Sequence, residues 1–389
     1  MPSNWKNYKL GDIAEVQTGP FGSQLHMKDY KKIGTPIITV EHLGDNKIIH
    51  NDLPLVGDDD KERLIKYILH EGDIVFSRVG SVDRRAYVTH KEDGWMFSGR
   101  CLRVRPKHSH VNSRFLSFYF GQEKFKEIIR KIAVGATMPS INTTILSEVT
   151  IFVPDLPTQM QIASILSSFD DKIELLRQMN QTLETMAQTI FKEWFVDFNF
   201  PGFDGVLVEG LPKGWRKGKL GEILQPKKGK NITKSQVIEG EIPVVAGGLE
   251  PSCYHNEANT KAPVVTVSSS GANAGFVRLY HTPVWSSDSC FVDNSVYQYV
   301  YYYYLIAKSN QGIIYKSQEG CAQPHIYARH IMDLEFNICE EIIVAKFEEI
   351  VAPMFEKIKE NSNQLRSLAY LRDALLPKLM NGQVKLFHV

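Results

Sequence analysis

Residues 5–13 read WKNYKLGDI and residues 215–223 read WRKGKLGEI, so the chain carries two versions of one segment 210 positions apart. Weaker matches follow in the same order along the chain. Residues 77–80 (SRVG) correspond to residues 268–271 (SSSG), and the later pairs are Ser98 and Cys101 with Ser287 and Cys290. From about residue 111 the offset stays at 185, which pairs Gly135, Pro139 and Ile141 with Gly320, Pro324 and Ile326. Ordered matches whose offset shrinks only where a loop could be shortened indicate an internal duplication.

Each copy begins with a part rich in Gly, Pro, Val, Ile and aromatic residues. Short apolar runs between turn residues predict strands, at residues 35–40 (TPIITV), 73–76 (DIVF), 149–153 (VTIFV), 242–246 (IPVVA) and 263–267 (PVVTV).

A long stretch without Gly ends each copy, and its apolar residues recur every seven positions. The first stretch has two interleaved series, Ile162, Phe169, Leu176, Leu183 and Ile190 with Leu166, Ile173, Ala187 and Trp194. The second has the matching series Phe347, Met354, Leu368 and Leu375 with Val351, Ile358, Leu365 and Leu379. This spacing predicts two long helices, the first over residues 158–196, whose apolar seams pack against each other as a coiled coil.

The predicted fold class is therefore α+β with a pseudo-twofold repeat. Two globular mixed α/β domains, residues 1–154 and 200–338, are joined by two long antiparallel helices in residues 155–199 and 339–389. Asn381-Gly382 predicts the end of the second helix, and Pro353 predicts a kink or a delayed straight part. Asn180 and Asn361 interrupt the seams once each, either as a buried Asn that sets the register or as a polar gap or a turn rotated to the surface.

Composition excludes several classes of protein. The 389 residues are 43% hydrophobic and 23% charged with a net charge of +1, which rules out a disordered or collagen-like chain. The five cysteines form no Cys-x-x-Cys pair and are interpreted as reduced thiols, namely Cys101, Cys253, Cys290, Cys321 and Cys339. No signal peptide or membrane-spanning run is visible, so a cytoplasmic protein is expected.

Motifs for catalysis are missing from the sequence. It contains no phosphate-binding loop, dinucleotide fingerprint, His-Glu-x-x-His pair or Asn/Asp-Pro-Pro-aromatic motif. Residues 227–230 (KKGK) lack the spacing and the hydroxyl of a nucleotide loop, and His108 with His110 has no third ligand nearby. We therefore predict no catalytic residue, no metal ligand and no bound cofactor.

Positive charge is concentrated locally in the globular parts. Lys and Arg exceed Asp and Glu by four in residues 1–154 and fall short by four in residues 155–199. Arg and Lys in polar loops can hold phosphates, and Arg can read guanine through two hydrogen bonds. Alternating Arg on a strand, as at Arg100, Arg103 and Arg105, is also typical of a solvated face. The tyrosines at 297, 299 and 301–304 could stack on bases, but their alignment with residues 115–120 favours core packing.

Six segments resemble the DNA-specificity (S) subunits of Type I restriction-modification enzymes, and together they span the whole chain. They are LPKGW at 211–215 with KLGEI at 219–223, GDIVFS at 72–77, GATMPSI at 135–141, LPTQMQIA at 156–163, IFKEWFVDF at 190–198 and LLPKLMNG at 375–382. The second copy departs from the pattern, because CEEI at 339–342 replaces the Pro-x-Gln helix start and Pro353 follows.

The resemblance implies that each globular part is a target recognition domain for one half of a split site in double-stranded DNA, and that the helices set the gap. It implies two methylation subunits as partners and two restriction subunits in the full complex, with S-adenosylmethionine, ATP and Mg²⁺ bound by those partners. Loop position, charge and polarity select the DNA-binding candidates: Gly19, Phe21, Ser23, Arg78, Ser81, Arg84, Arg85 and Arg100 in the first copy, and Lys227, Lys228, Lys230, Ser269, Ser270, Asn273 and Ser287 in the second.

Two other hypotheses remain open at this point. A self-contained nuclease or methyltransferase would show cofactor-dependent activity without partners. A structural coiled-coil scaffold would give no specific protection of DNA.

Overall fold

The computed structural model describes residues 5–22, 24–107, 110–320 and 323–384. The chain forms two compact units, residues 1–174 with 366–389 and residues 175–365, called here the first and second unit. Two helices of 40 residues contribute to both units, the first long helix Leu156–Phe195 and the second long helix Glu341–Met380. The predicted α+β class with two long helices is confirmed.

The first unit is built around a four-stranded antiparallel sheet. Its strands lie in the order Ala14–Thr18, Cys101–Pro106, Ile74–Ser77 and Arg85–Tyr87. A second four-stranded sheet has the order Tyr30–Lys31, Leu55–Val56, Thr35–Ile38 and Met96–Phe97, and Lys6–Lys9 pairs with Thr150–Val153. The short helices are Leu10–Ile13, Asp58–Arg63, Ser113–Gly121, Glu123–Ile132 and Thr143–Ser147.

The second unit repeats this arrangement. Its four-stranded sheet has the order Lys227–Lys228, Ser289–Asp293, Val264–Ser268 and Val277–Tyr280. The remaining strands are Cys253–His255, Ile242–Val245 and Trp285–Ser286 in one sheet, Arg216–Lys219 with Glu335–Ile338, and Leu207–Val208 with Leu211–Pro212. The short helices are Val300–Ser309, Gln311–Lys316 and Ala328–Met332. The two sheets share one strand topology, as a duplicated sequence requires.

Within each unit the two long helices run antiparallel. In the first unit, Ile162 and Leu166 share a core with Leu379 and Met380. In the second unit, Trp194 packs on Phe347 with 5.7 Å between ring centroids. The second helix continues through Pro353 and ends at Met380, directly before the turn at Asn381-Gly382 that the sequence predicts. Pro353 removes one backbone donor but does not end the helix.

The tyrosine run belongs to the core of the second unit. Tyr302 and Tyr303 are almost fully buried, and Tyr301 stacks on Phe355 with 4.6 Å between ring centroids. The carboxylate of Glu348, on the second long helix, accepts hydrogen bonds from the backbone N–H groups of Tyr301 and Tyr302, at 3.0 and 2.8 Å. These contacts confirm core packing and show how the helix Val300–Ser309 is held.

The cysteines that the structure describes are free. Cys101 and Cys290 are buried, and burial raises the pKa of each thiol to about 12. Cys321 lies outside the described residues.

Candidate nucleic-acid interface

In the first unit, four strand ends and the loops attached to them lie together at one end of the central sheet, which is called here the first edge. Thr18 lies opposite Leu102, and Ser77 lies opposite Cys101. The segments that follow Thr18 and Ser77 therefore lie beside the segment that precedes Cys101. These segments contain the predicted residues Gly19, Phe21, Arg78 and Arg100. The sheet therefore places candidates that are far apart in sequence side by side.

Gly19 sits where the chain leaves its strand against the neighbouring segment. Its N–H donates to the carbonyl of Cys101 at 3.2 Å. A Cβ atom at this position would lie 2.2 Å from the carbonyl oxygen of Ser98, which no side chain tolerates. Only glycine allows this close approach, and its role is to position the edge.

Arg78 connects three segments of the edge. Its backbone N–H donates to the carbonyl of Arg100 at 2.8 Å, and its carbonyl accepts from Ile141 at 2.9 Å. The guanidinium donates to Gly99 at 3.2 Å and lies 5.3 Å from the ring centroid of Phe21, within the range of a cation–π contact. Phe21 is itself 48% exposed. An aromatic ring and an Arg thus form one surface group.

The remaining exposed candidates of the first unit are Ser81, Arg84 and Arg100. Arg84 donates to the carbonyl of Leu43 at 2.5 Å. The guanidinium of Arg100 forms no hydrogen bond or ion pair within residues 5–22, 24–107, 110–320 and 323–384. Arg100 is therefore available to an external acceptor.

Arg85 begins the fourth strand at this edge, but its side chain is buried in the interior of the first unit. It is 5% exposed, donates through Nε to the carbonyl of Ser117 at 2.9 Å and approaches Asp45 at 3.5 Å. Burial lowers the pKa of Arg85. Arg84, which precedes the strand Arg85–Tyr87, is exposed, so the two neighbouring arginines do not share an environment. We leave Arg85 out of the proposed interface, and Ser23 lies outside the described residues.

The other arginines of this sheet are structural. Arg103 is 2% exposed and pairs with Glu15 at 2.8 Å. Arg105 pairs with the buried carboxylate of Asp73 at 2.7 Å. The alternation of Arg along this strand reflects ion pairing within the unit.

The second unit presents an edge of the same construction. Lys228 lies opposite Cys290 and Ser268 opposite Ser289, so the segments that contain Lys230, Ser269 and Ser270 meet. Gly229 repeats the close approach, because a Cβ atom there would lie 2.5 Å from the carbonyl oxygen of Ser287. The two copies thus use a glycine at the same place for the same reason.

Lysines supply the positive charge of the second edge. Lys227, Lys228 and Lys230 are exposed. Lys230 has its Nζ 5.9 Å from the ring centroid of Trp285, whose Nε1–H donates to the carbonyl of Lys230 at 2.8 Å. Lys227 instead donates to the hydroxyl of Ser295 at 3.1 Å, beyond the other end of the strand Ser289–Asp293, so its ammonium group lies away from this edge.

The serines of the second edge differ in exposure. Ser269 and Ser270 are half-buried, and the hydroxyl of Ser270 donates to the carboxylate of Asp288. Asn273, also half-buried, accepts from Phe276 through its carbonyl at 3.0 Å. Ser287 is only 7% exposed, and its hydroxyl accepts the N–H of Ile232 at 3.3 Å. Ser287 is therefore placed to hold the loop, and the other three line it.

Two parts of this interface were not among the predicted site residues. One is Asp288, which lies between Ser287 and Cys290, the two residues that the repeat comparison aligned with Ser98 and Cys101. The other is the loop that carries the GATMPSI motif and its counterpart: Gly80 donates to the carbonyl of Pro139 at 2.8 Å, and Gly271 donates to that of Pro324 at 3.1 Å. The offset of 185 aligned these two loops with each other, but their position beside the edge is visible only in the structure.

No cluster of three or more His, Cys, Asp or Glu able to hold a metal occurs among the described residues, and His108 lies outside them. None of the described helices combines the length and hydropathy needed to cross a membrane.

The fold and the two edges define a duplicated binding protein that presents loops from a central sheet in each unit. The sequence model of the Type I restriction modification DNA specificity domain matches residues 2–185 and again 212–365. The chain belongs to this family.

Relatives of the same kind match over nearly the full length. The MjaIX specificity subunit of a Type I restriction enzyme from Methanocaldococcus jannaschii is 28% identical, covering 99% of this chain and 94% of the relative. The HindI specificity subunit from Haemophilus influenzae is 25% identical, covering 98% of this chain and all of the relative. A crystal structure of a Type I S subunit from M. genitalium has the same fold, with a TM-score of 0.65 at 19% identity over 97% of this chain and 96% of that one.

Proposed function

We propose that the chain reads a bipartite sequence in double-stranded DNA, with one half-site for the loop edge of each unit. The observation that carries this proposal is that one chain builds the same edge twice, each time with a glycine at the tightest contact and exposed cationic side chains beside it. Phosphate contacts from Lys and Arg would position each unit, and polar groups in the loops would discriminate bases.

The two long helices would set the gap between the half-sites. Each contributes residues to both units, and 40 helical residues extend about 60 Å at ~1.5 Å per residue. A site composed of two half-sites is bound only when their spacing matches the protein. Helix length is therefore the proposed determinant of the gap.

The chemistry is proposed to belong to partner subunits. Two methylation subunits would dock on the pseudo-twofold repeat and bind S-adenosylmethionine, and two restriction subunits would supply the ATP- and Mg²⁺-dependent activities. The chain itself would bind no cofactor and catalyse no reaction. We place the complex in the cytoplasm, since its proposed substrate is bacterial or archaeal DNA.

Methylome sequencing of host strains with and without this chain tests the proposal. Loss of N6-methyladenine from one bipartite motif on deletion is the expected result, and an unchanged methylome would contradict it. The purified chain with S-adenosylmethionine and DNA is the matched control. Methyl transfer by the chain alone would establish a self-contained enzyme. If the chain protected no specific DNA sequence even with its partners present, a structural scaffold would be the remaining hypothesis.

A further inference from the structure

Arg100 and Asp288 occupy the same place in the two units. In the first unit the N–H of Arg78 donates to the carbonyl of Arg100 at 2.8 Å, and in the second the N–H of Ser269 donates to the carbonyl of Asp288 at 3.0 Å. The residue that follows each, Cys101 or Ser289, pairs with the last residue of the neighbouring strand, Ser77 or Ser268.

This register corrects the expected alignment of Cys101 with Cys290. The strand ladders place Cys101 in the position of Ser289, because the loop before the central strand is one residue shorter in the second copy. The three residues Ser98, Gly99 and Arg100 of the first copy correspond to only two residues of the second, Ser287 and Asp288. Sequence matching aligned the two cysteines and so missed the equivalence of Arg100 and Asp288.

The side chains at this shared position have opposite charges. Arg100 offers a guanidinium with only donor groups. Asp288 offers a carboxylate with only acceptor atoms, of which Oδ2 accepts from the hydroxyl of Ser270. The other oxygen, Oδ1, has no hydrogen-bond partner in the part of the chain that the structure describes. The second edge therefore holds an oriented acceptor where the first holds a donor.

DNA bases differ in which of these two side-chain groups, guanidinium or carboxylate, they can bind. Guanine offers two acceptors in the major groove, which suits Arg, whereas cytosine offers an amino donor, which suits Asp. A carboxylate beside phosphates is unfavourable unless a donor compensates it, so its presence on a DNA-facing edge needs a specific partner.

We propose that Asp288 is a specificity-determining residue that selects a cytosine in the second half-site, at the position corresponding to a guanine selected by Arg100 in the first. The inference rests on the proposed function. It adds an identity for one base pair in each half-site and a reason for the two units to read different sequences.

Selection from a random duplex library by the chain assembled with its methylation subunits tests the assignment. Asp288→Asn keeps the shape and can still accept from Ser270, but places a donor amide where the carboxylate accepted. We expect the cytosine preference at one position of the second half-site to fall roughly 5- to 100-fold, with the first half-site unchanged. Asp288→Ser, which removes the acceptor without adding an amide, should lose the same preference. Arg100→Gln is the reciprocal variant and should change one position of the first half-site only.

An unchanged base preference in both Asp288 variants, with melting temperatures equal to the wild type, would overturn the assignment and leave the bipartite function intact. A change spread over both half-sites would also overturn it. If the wild-type complex itself selects no bipartite motif, the proposed function fails, and this inference fails with it.

Discussion

Asn361 donates from Nδ2 to the Oδ1 atom of Asn180 at 2.8 Å, across the seam between the two long helices in the second unit. Asn361 is only 2% exposed. The Asn180 amide also donates to the hydroxyl of Ser362 at 3.4 Å. Of the interpretations that the sequence left open, the structure selects the buried Asn for Asn361, which pairs across the seam with the half-buried Asn180. A paired Asn in an apolar seam is a known device for fixing helix register.

Replacing one member of this pair should cost more than replacing both. Asn361→Leu leaves the Asn180 amide without its main partner, which we expect to lower the free energy of unfolding by about 1–3 kcal/mol. The double variant Asn180→Leu/Asn361→Leu should be at least as stable as the single one, since both polar groups are gone. Urea unfolding of the wild type, Asn180→Leu, Asn361→Leu and the double variant gives the coupling energy between the two side chains. Strictly additive losses would mean that the pair contributes no coupling.

The buried tyrosines provide a matched pair of hydroxyl deletions. The hydroxyl of Tyr303 has no hydrogen-bond partner among the described residues, whereas that of Tyr304 donates to Glu184 at 2.5 Å. Tyr303→Phe should therefore be neutral or stabilise the protein by up to about 1 kcal/mol. Tyr304→Phe should destabilise it by about 1–3 kcal/mol. Thermal unfolding measures both, and reversed signs would refute this description of the core.

Glu348 should make the stability of the second unit depend on pH. Burial raises its pKa to about 7 from an ordinary value of 4.5, despite the two amide donors. The folded state then binds a proton more tightly than the unfolded state, so this contribution is complete below about pH 4.5 and is lost as the pH rises through about 7. Relative to Glu348→Gln, the wild type should lose stability across this window.

The comparison must be made as a difference at each pH, because a second group titrates in both proteins. Burial lowers the pKa of His281 to about 4, which adds stability above about pH 6.5 and removes it as the pH falls toward 4. Melting temperatures from pH 4 to pH 8 supply the difference. The exposed neighbour variant Glu349→Gln is the control and should show no such trend.

Gly19 and Gly22 allow a test of the close approach at the first edge. A Cβ atom at Gly22 meets nothing within 4 Å, whereas one at Gly19 would overlap the carbonyl of Ser98. Gly19→Ala should displace the edge and weaken binding to the first half-site by about tenfold or more, corresponding to ~1.4 kcal/mol. Gly22→Ala should bind normally. Equal effects of the two substitutions on DNA affinity would show that the close approach does not organise the edge.

Patterns of period and order predicted much of this molecule. Three such features are local or periodic properties of the chain: the repeat of Trp5 at Trp215, the seven-residue spacing from Ile162 to Ile190, and the turn at Asn381-Gly382. The burial of the tyrosines followed from their alignment with an apolar helix. Such features depend on which residues are neighbours in sequence, and the sequence shows these directly.

Contacts between distant segments were not accessible in this way. Loop position and charge gave Arg84 and Arg85 the same role, but Arg84 is exposed before the strand, whereas Arg85, in the strand, donates to the carbonyl of Ser117. The stacking of Arg78 on Phe21 joins residues from two separate loops. Asp288 escaped notice because its charge differs from that of its counterpart, and only the ladder register shows that the two correspond.

The length of the helices should control which half-site spacing is accepted. Because the helices pair antiparallel, one heptad must be removed from each, residues 176–182 and the facing residues 359–365. The shortened protein, assembled with its partners, should prefer a smaller gap in duplexes that differ only in spacer length. A gap preference identical to that of the wild type would remove the helices from this role.

The central claim is that each unit reads its own half-site through its own loop edge. Binding selection from random duplexes tests it most directly, using the assembled wild type, Arg78→Ala/Arg100→Ala and Lys228→Ala/Lys230→Ala. We predict that the first variant weakens or relaxes one half of the motif and the second variant the other half, by about 1–3 kcal/mol for each replaced side chain that reads a base. Equal weakening of both halves in either variant would contradict the claim.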